Sequence, residues 1–180
     1  AGKRVLVTGG GGSIGAELCR QVARLGCDSL TVLELSEYNL YRIEQELRGE
    51  FPELVFNPVL GDCGDAATCE RVFSELRPHA VFHAAAFKHV PLLQGQVREA
   101  LRNNLCGTQT LAMAADRHGV ENFLLISSDK AVNPSSVMGA TKRAAEIFCQ
   151  ALSLRSQTHF ITVRFGNVLD SAGSVVPLFR

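Results

Sequence analysis

The sequence predicts an α/β protein built on a doubly wound parallel sheet of the Rossmann type, with helices on both faces in three α/β/α layers. Three observations carry that expectation. Short apolar runs alternate with amphipathic segments along the whole chain. Several of those runs are near-continuously apolar, as in parallel strands covered on both faces. A glycine-rich stretch, Thr8-Gly9-Gly10-Gly11-Gly12-Ser13-Ile14-Gly15, joins the first run to the first amphipathic segment. With 180 residues and 46% hydrophobic content the chain can bury one substantial core, so 1–180 reads as a single domain.

The elements follow in order. Residues 3–8 read as a first strand and 13–25 as a helix stopped by Gly26. Residues 30–35 form a second strand. Ser36 is an N-cap for a helix whose core stripe is Leu40, Ile43 and Leu47, with Glu37, Arg42, Glu44, Glu46 and Arg48 facing water. Residues 54–60 give a third strand, 65–76 a third helix ended by Arg77-Pro78, and 80–84 a fourth strand. A long helix is expected over 97–118 with Gly107 inside it and Gly119 as its stop. A fifth strand over 123–127, a polar loop over 128–136, a helix over 137–154 and a sixth strand over 160–164 complete the alternation. Helical crossovers between short strands imply a parallel sheet, with ligand at the carboxyl ends of the strands near the switch point.

Composition narrows the class. Eighteen basic and eighteen acidic side chains cancel without forming a block, which gives no support to nucleic acid or an anionic membrane as partner. No apolar run approaches the roughly 20 residues that span a bilayer, so these residues are expected to be soluble and cytoplasmic. The six cysteines show no C-x-x-C pair and the five histidines no H-x-x-x-H spacing. Small core thiols in a reducing compartment, with no metal site, are expected.

The strand ends hold the residues that bear chemistry. Gly9, Gly12 and Gly15 permit a tight strand-to-helix turn, and the helix starting near Ser13 and Ile14 aims backbone N–H groups and a positive dipole end at a pyrophosphate. Glu34, nineteen residues beyond Gly15, ends the second strand. A carboxylate there accepts hydrogen bonds from an adenosine ribose and repels a 2′-phosphate, which favours NAD over NADP. Asp62 either receives the adenine amino group, with Cys63 offering its backbone, or is an ordinary loop aspartate before a helix. Ala84, Ala85 and Ala86 either admit a flat ring or ribose or simply pack. Lys88 and His89 stand where a phosphate or sugar is met, or are a solvated pair. Met138 and Lys142, four apart, share a helix face beside Ser128, Asp129 and Lys130. There Lys142 is either a solvated lysine or the group that holds a nicotinamide ribose.

Taken together, the glycine pattern, Gly61-Asp62, His83-Ala84-Ala85-Ala86-Phe87-Lys88-His89-Val90-Pro91, Asn104-x-x-Gly107-Thr108, Ser127-Ser128-Asp129-Lys130-Ala131-Val132-Asn133-Pro134, Met138-Gly139-Ala140-Thr141-Lys142 and Arg164-Phe165-Gly166-Asn167-Val168 resemble the CapD-like polysaccharide-biosynthesis branch of the extended short-chain dehydrogenase/reductase superfamily. The resemblance covers essentially the whole chain. It implies a nucleotide-sugar 4,6-dehydratase acting on a UDP-N-acetylhexosamine such as UDP-N-acetylglucosamine, with tightly bound NAD: oxidation at C4, loss of water across C5 and C6, and return of hydride to C6. It implies Asp129 as the acid at the C6 hydroxyl, Lys130 as the base at C5 and Ser128 as a partner of the C4 oxygen. It further implies Phe165 on the coenzyme, Lys88, His89, Asn104, Asn167 and Ser174 on the substrate, and a homo-oligomer. For Lys130 to act as a base, its proton affinity is expected to fall through burial and the nearby Lys142.

The family tyrosine four residues before the lysine is Met138 here, and a thioether transfers no proton. The C4 proton then falls to Asp129, Lys130 or an ordered water. A C5-inverting epimerase and a non-catalytic dinucleotide-binding module are the alternative readings. The stretch 164–180 resembles the first substrate-contacting elements, so the chain reads as a fragment whose smaller substrate lobe lies downstream. Any membrane anchor is expected only in regions outside it, placing a longer protein at the inner membrane facing the cytoplasm.

Overall fold

The computed structural model describes residues 2–166 and 168. Six parallel strands form one sheet: β1 (Arg4–Thr8), β2 (Ser29–Glu34), β3 (Phe56–Leu60), β4 (Ala80–His83), β5 (Asn122–Ser128) and β6 (His159–Phe165), in the spatial order β3-β2-β1-β4-β5-β6. The connections are α1 (Ser13–Arg24), α2 (Glu37–Glu50), α3 (Ala66–Leu76), α4 (Val90–Gln94), α5 (Val97–Ala100), α6 (Gly107–Arg117) and α7 (Val137–Ser153). The doubly wound expectation holds. The strand order reverses between β1 and β4, which opens a crevice at their carboxyl ends.

Alternation along each strand divides the core in two. Val5 and Val7 of β1 pack with Leu30, Val32, Leu40, Ile43 and Leu47 on the α1/α2 face. Leu6 faces the other way, with Leu33, Phe73, Val81, Leu111, Phe123, Leu125 and Leu152 on the α3/α6/α7 face. Ser36 caps as the sequence suggests, its Oγ accepting the Asn39 N–H at 3.3 Å, and Asp65, expected inside the third helix, is its cap instead, with Oδ2 accepting the Thr68 N–H at 2.8 Å. β3 carries Pro58 because it is an edge strand, where a missing N–H leaves no ladder bond broken.

The main departure is in the long helix expected over 97–118. It is α5, then a π-helical segment (Leu101–Cys106), then α6, and it is preceded by α4, which the sequence reading left without an element. Pro91 sits in the first turn of α4, where its absent N–H costs nothing. β3 also begins at Phe56 rather than at residue 54, and β2 stops at Glu34, one residue before Leu35. Cys19, Cys63, Cys69 and Cys149 are buried, whereas Cys27 is half-buried and Cys106 exposed, so the core assignment fits four of the thiols. Among the described residues no helix is long and apolar enough to cross a membrane.

Candidate functional site

The glycine turn is built by backbone contact. Gly9 has φ +67° and donates its N–H to Leu33 O at 2.9 Å, while the Gly12 N–H bonds Gly9 O at 3.1 Å. A Cβ on Gly15 would lie 2.0 Å from Gly9 O, so only glycine lets α1 start against the turn. The cap residue of α1, Gly12, offers no side-chain cap. Glu34, nearly buried, accepts the Gly11 N–H on Oε2 at 3.0 Å and the Ser36 N–H on Oε1 at 3.0 Å. Its carboxylate thereby ties β2 to the turn, and each oxygen keeps a further lone pair for a ribose hydroxyl.

Around this turn opens a cleft of about 540 Å³ lined by Gly9, Gly12 to Gly15, Ala84, Ala86, Phe87, Lys88, His89 and residues of α4 and α5. The predicted Gly9, Gly12, Ser13, Ile14, Gly15, Ala84, Ala86, Lys88 and His89 thus meet in one place. Ala85 packs its backbone onto Gly9 and faces away. Glu34, Asp62, Lys142, Phe165 and the Ser128–Lys130 segment lie outside that lining. Lys142 lies on α7 behind β5, and the others occupy other strand ends in the same row. Asp62, half-buried, spends Oδ1 on the Gly64 N–H at 2.7 Å, and the Cys63 carbonyl accepts the Cys69 thiol at 3.2 Å, so this corner is first a loop closure.

β5 runs into the Ser128–Asp129–Lys130 segment. Ser128 Oγ donates to Asp129 Oδ1 at 3.1 Å and accepts the Lys130 N–H at 3.2 Å. Lys130 Nζ stands 3.2 Å from Asp129 Oδ1, with 39% of the Lys130 side chain and 55% of the Asp129 side chain exposed. The Lys130 ammonium, and then the Ser128 hydroxyl, hold the Asp129 carboxyl below the usual carboxylate range. Lys130 is therefore not the buried lysine of this site, contrary to the expectation above. That lysine is Lys142, only 7% exposed, whose Nζ donates to Ile126 O at 2.8 Å and whose proton affinity burial pulls down to about 8.

A further expectation is corrected. Asn104 does not reach a substrate: it is 1% exposed, accepts the Phe87 N–H at 2.8 Å, and donates to Phe87 O at 3.0 Å and Thr141 Oγ1 at 3.1 Å. From the π-helical segment it clamps the Phe87 loop to α7, because a widened turn points this amide inward. Met138, 4% exposed, packs with Leu93 and Ala100 and so joins α7 to α4 and α5. Asn167 and Ser174 lie outside the described residues.

Sequence reasoning assigned no role to His83, Gly139, Thr141 or Glu146. His83 bridges Thr8 Oγ1 at 2.7 Å and Thr108 Oγ1 at 2.9 Å, and complete burial pushes it down to about 3, so it is a neutral tie between β1 and α6. A Cβ on Gly139 would lie 2.2 Å from Lys130 O; the first turn of α7 presses directly on the segment after β5. The M-G-A-T-K string held that signal. A second cleft, of about 410 Å³, lies at the amino ends of the strands, where Arg4 and Arg77 donate to the Arg77 and Ser74 carbonyls and so cap the end of α3.

A parallel sheet in this strand order, with a glycine turn at the first crossover and a lysine on α7 behind the fifth strand, defines a Rossmann domain of the extended short-chain dehydrogenase/reductase type. The chain belongs to the family described as polysaccharide biosynthesis protein, which it matches over residues 5–180. It is 49% identical over 180 residues to the probable polysaccharide biosynthesis protein EpsC of Bacillus subtilis, covering 99% of this chain and 30% of that protein. It is 34% identical over 189 residues to a UDP-N-acetylglucosamine 4,6-dehydratase (inverting) of Campylobacter jejuni, covering 99% of this chain and 53% of that one. Among solved structures, Pen from Bacillus thuringiensis superposes with a TM-score of 0.90 at 34% identity, covering 98% of this chain and 56% of that one. The chain thus spans between about a third and about half of these relatives.

Proposed function

We propose that the chain is the coenzyme-binding part of an NAD-dependent nucleotide-sugar 4,6-dehydratase acting on a UDP-N-acetylhexosamine, in the making of a surface polysaccharide. The observation that carries this reading is the row of strand ends. Asp62, Glu34, the glycine turn, Ala84 to Ala86, Ser128 to Lys130 and Phe165 end β3, β2, β1, β4, β5 and β6 in spatial order. At about 4.8 Å per strand, the turn and the Asp129–Lys130 pair stand roughly 10 Å apart, a span suited to an extended dinucleotide. The Campylobacter relative's name supports the dehydratase assignment.

The residues fit the coenzyme. The glycine cradle, which a Cβ would fill, accepts a diphosphate, and Glu34 keeps lone pairs for the adenosine ribose. A coenzyme held there would supply the hydride acceptor for C4 and the hydride donor for C6. The chain handles the protons. The C4 hydroxyl proton passes through Ser128 Oγ to the Asp129 carboxylate, whose lowered proton affinity leaves it ionised and ready to accept. Asp129 then gives that proton to the departing C6 hydroxyl. Protonating Asp129 removes its negative charge from beside the Lys130 amino group. The Lys130 amine, its own proton released to solvent, takes the C5 proton, exchanges it with solvent, and delivers a solvent-derived proton to C5. Lys130 then regains from solvent the proton it released and Asp129 ends as a carboxylate, so protons balance and Met138 is not needed.

The test is incubation of the full-length protein with UDP-N-acetylglucosamine in deuterated water, read by proton NMR. A C6 methyl signal with deuterium at C5 is the expected result. A product that keeps its C6 hydroxymethyl group overturns the dehydratase in favour of an epimerase. NAD binding without product overturns catalysis altogether.

A further inference from the structure

Beneath the ends of β5 and β6 lies a charge cluster that the reaction above does not use. Glu146 of α7 has no exposed surface. Its carboxylate accepts hydrogen bonds from Ser127 Oγ at 2.6 Å, Arg164 Nε at 2.7 Å, Arg164 Nη2 at 2.5 Å and Arg143 Nη1 at 2.9 Å. Burial opposes its ionisation, yet Arg164, Ser127 and Arg143 outweigh it and hold the carboxyl down to about 2. One turn earlier on the same helix, Lys142 reaches Ile126 O. Thus α7 grips β5 at Ile126 and Ser127, the two residues before Ser128. On the other side, Arg164 pairs with Ser127 in the sheet register, and a Cβ on Gly166 would stand 3.6 Å from Asp129 Oδ2. Glu146 therefore holds together the two strand ends that flank Asp129.

The same carboxylate is the counter-charge of Lys142. The titratable groups acting on Lys142 are Glu146 and Cys149 on α7, Cys63 after β3 and His83 of β4. Burial pushes both thiols up to about 12 and His83 down to about 3, so all three are uncharged at neutral pH. Glu146 alone among these opposes the desolvation that favours the neutral amine.

We propose that Glu146 is a positioning residue: it locks the end of β5 to the end of β6, fixing the Ser128–Asp129–Lys130 segment, and it keeps the Lys142 ammonium charged. Its catalytic consequence rests on the dehydratase reading, so the primary measurements are independent of turnover. In the full-length protein carrying lysine labelled with nitrogen-15 at Nζ, the Lys142 signal is titrated by NMR and amide exchange is followed at residues 128–130. In Glu146→Gln the Lys142 midpoint falls by about one pH unit, and exchange at residues 128–130 quickens about tenfold. Glu146→Asp, which keeps the charge on a shorter arm, restores the midpoint and leaves exchange fast. Ser127→Ala, which removes one hydroxyl, quickens exchange without moving the midpoint, and serves if Glu146→Gln does not fold. Turnover in Glu146→Gln falls about tenfold or more with a KM within about threefold of the parent, as expected for misplaced groups. An unchanged midpoint together with unchanged exchange overturns the proposal. Absence of turnover in the parent protein overturns the dehydratase reading and leaves these measurements standing.

Discussion

The two halves of the strand-end row are made by different means. On the β1/β2 side the glycine turn is shaped by the backbone itself: Gly9 in the left-handed region, Gly15 against Gly9 O, and two main-chain N–H groups on Glu34. On the β4/β5/β6 side the geometry comes from side chains far apart in sequence, such as Asn104 between Phe87 and Thr141, His83 between Thr8 and Thr108, and Glu146 between Ser127 and Arg164. The first kind of site tolerates no added atom. The second depends on every member of its network being present.

Substitutions can separate the two. The largest effect is expected at the exposed pair: Asp129→Asn and Lys130→Met each lower kcat by about 10³, within the usual range for a lost general acid or base, while NAD titration by fluorescence stays within a few-fold of the parent. Lost coenzyme binding in either would merge the two halves. Gly15→Ala is the converse. Its Cβ collides with a backbone oxygen, so the turn must shift; coenzyme affinity is expected to fall about 100-fold, with about 1–3 kcal/mol of stability lost to overpacking. Calorimetric titration checks the first and urea unfolding the second.

The pH dependence of stability reads the buried side. Burial pulls Lys142 down to about 8 in the folded chain from the ordinary lysine value of 10.5, so between those values the unfolded chain binds more protons and stability rises with pH. The burial penalty, fully present below pH 8, is relieved by about 3 kcal/mol as pH climbs to 10.5. The buried thiols act in the opposite sense above pH 9, because only the unfolded chain ionises them. The measurement is therefore the difference between the parent and Lys142→Met in urea unfolding, and a difference that does not vary over this window refutes the assignment.

Met138→Ala opens a cavity beside Leu93 and Ala100 and costs about 2–3 kcal/mol, with turnover per folded molecule retained. A loss of turnover matching that of Asp129→Asn would return Met138 to the chemistry. Asn104→Ala is the smallest of the set. It removes the side-chain donor to the Phe87 carbonyl and leaves the Phe87 N–H with Asn103 Oδ1 at 3.1 Å as acceptor, at about 1–2 kcal/mol, a fall in Tm of roughly 2–8 °C, and weaker protection of the Phe87 amide from exchange.

The sequence by itself determined the alternating elements, the glycine turn, the helix cap at Ser36, and the grouping of chemistry after successive strands. Those features are written in local backbone preference and in hydrophobic period, which neighbouring residues reveal. Only the tertiary structure decided that Asn104 and Met138 are internal ties, that Lys142 rather than Lys130 is the buried lysine, and that Glu146 joins β5 to β6. Each of those outcomes turns on which distant side chain supplies a hydrogen bond, a counter-charge or a packing surface. Such partners meet only when the sheet sets its strands side by side, and a linear order of residues carries no measure of that proximity.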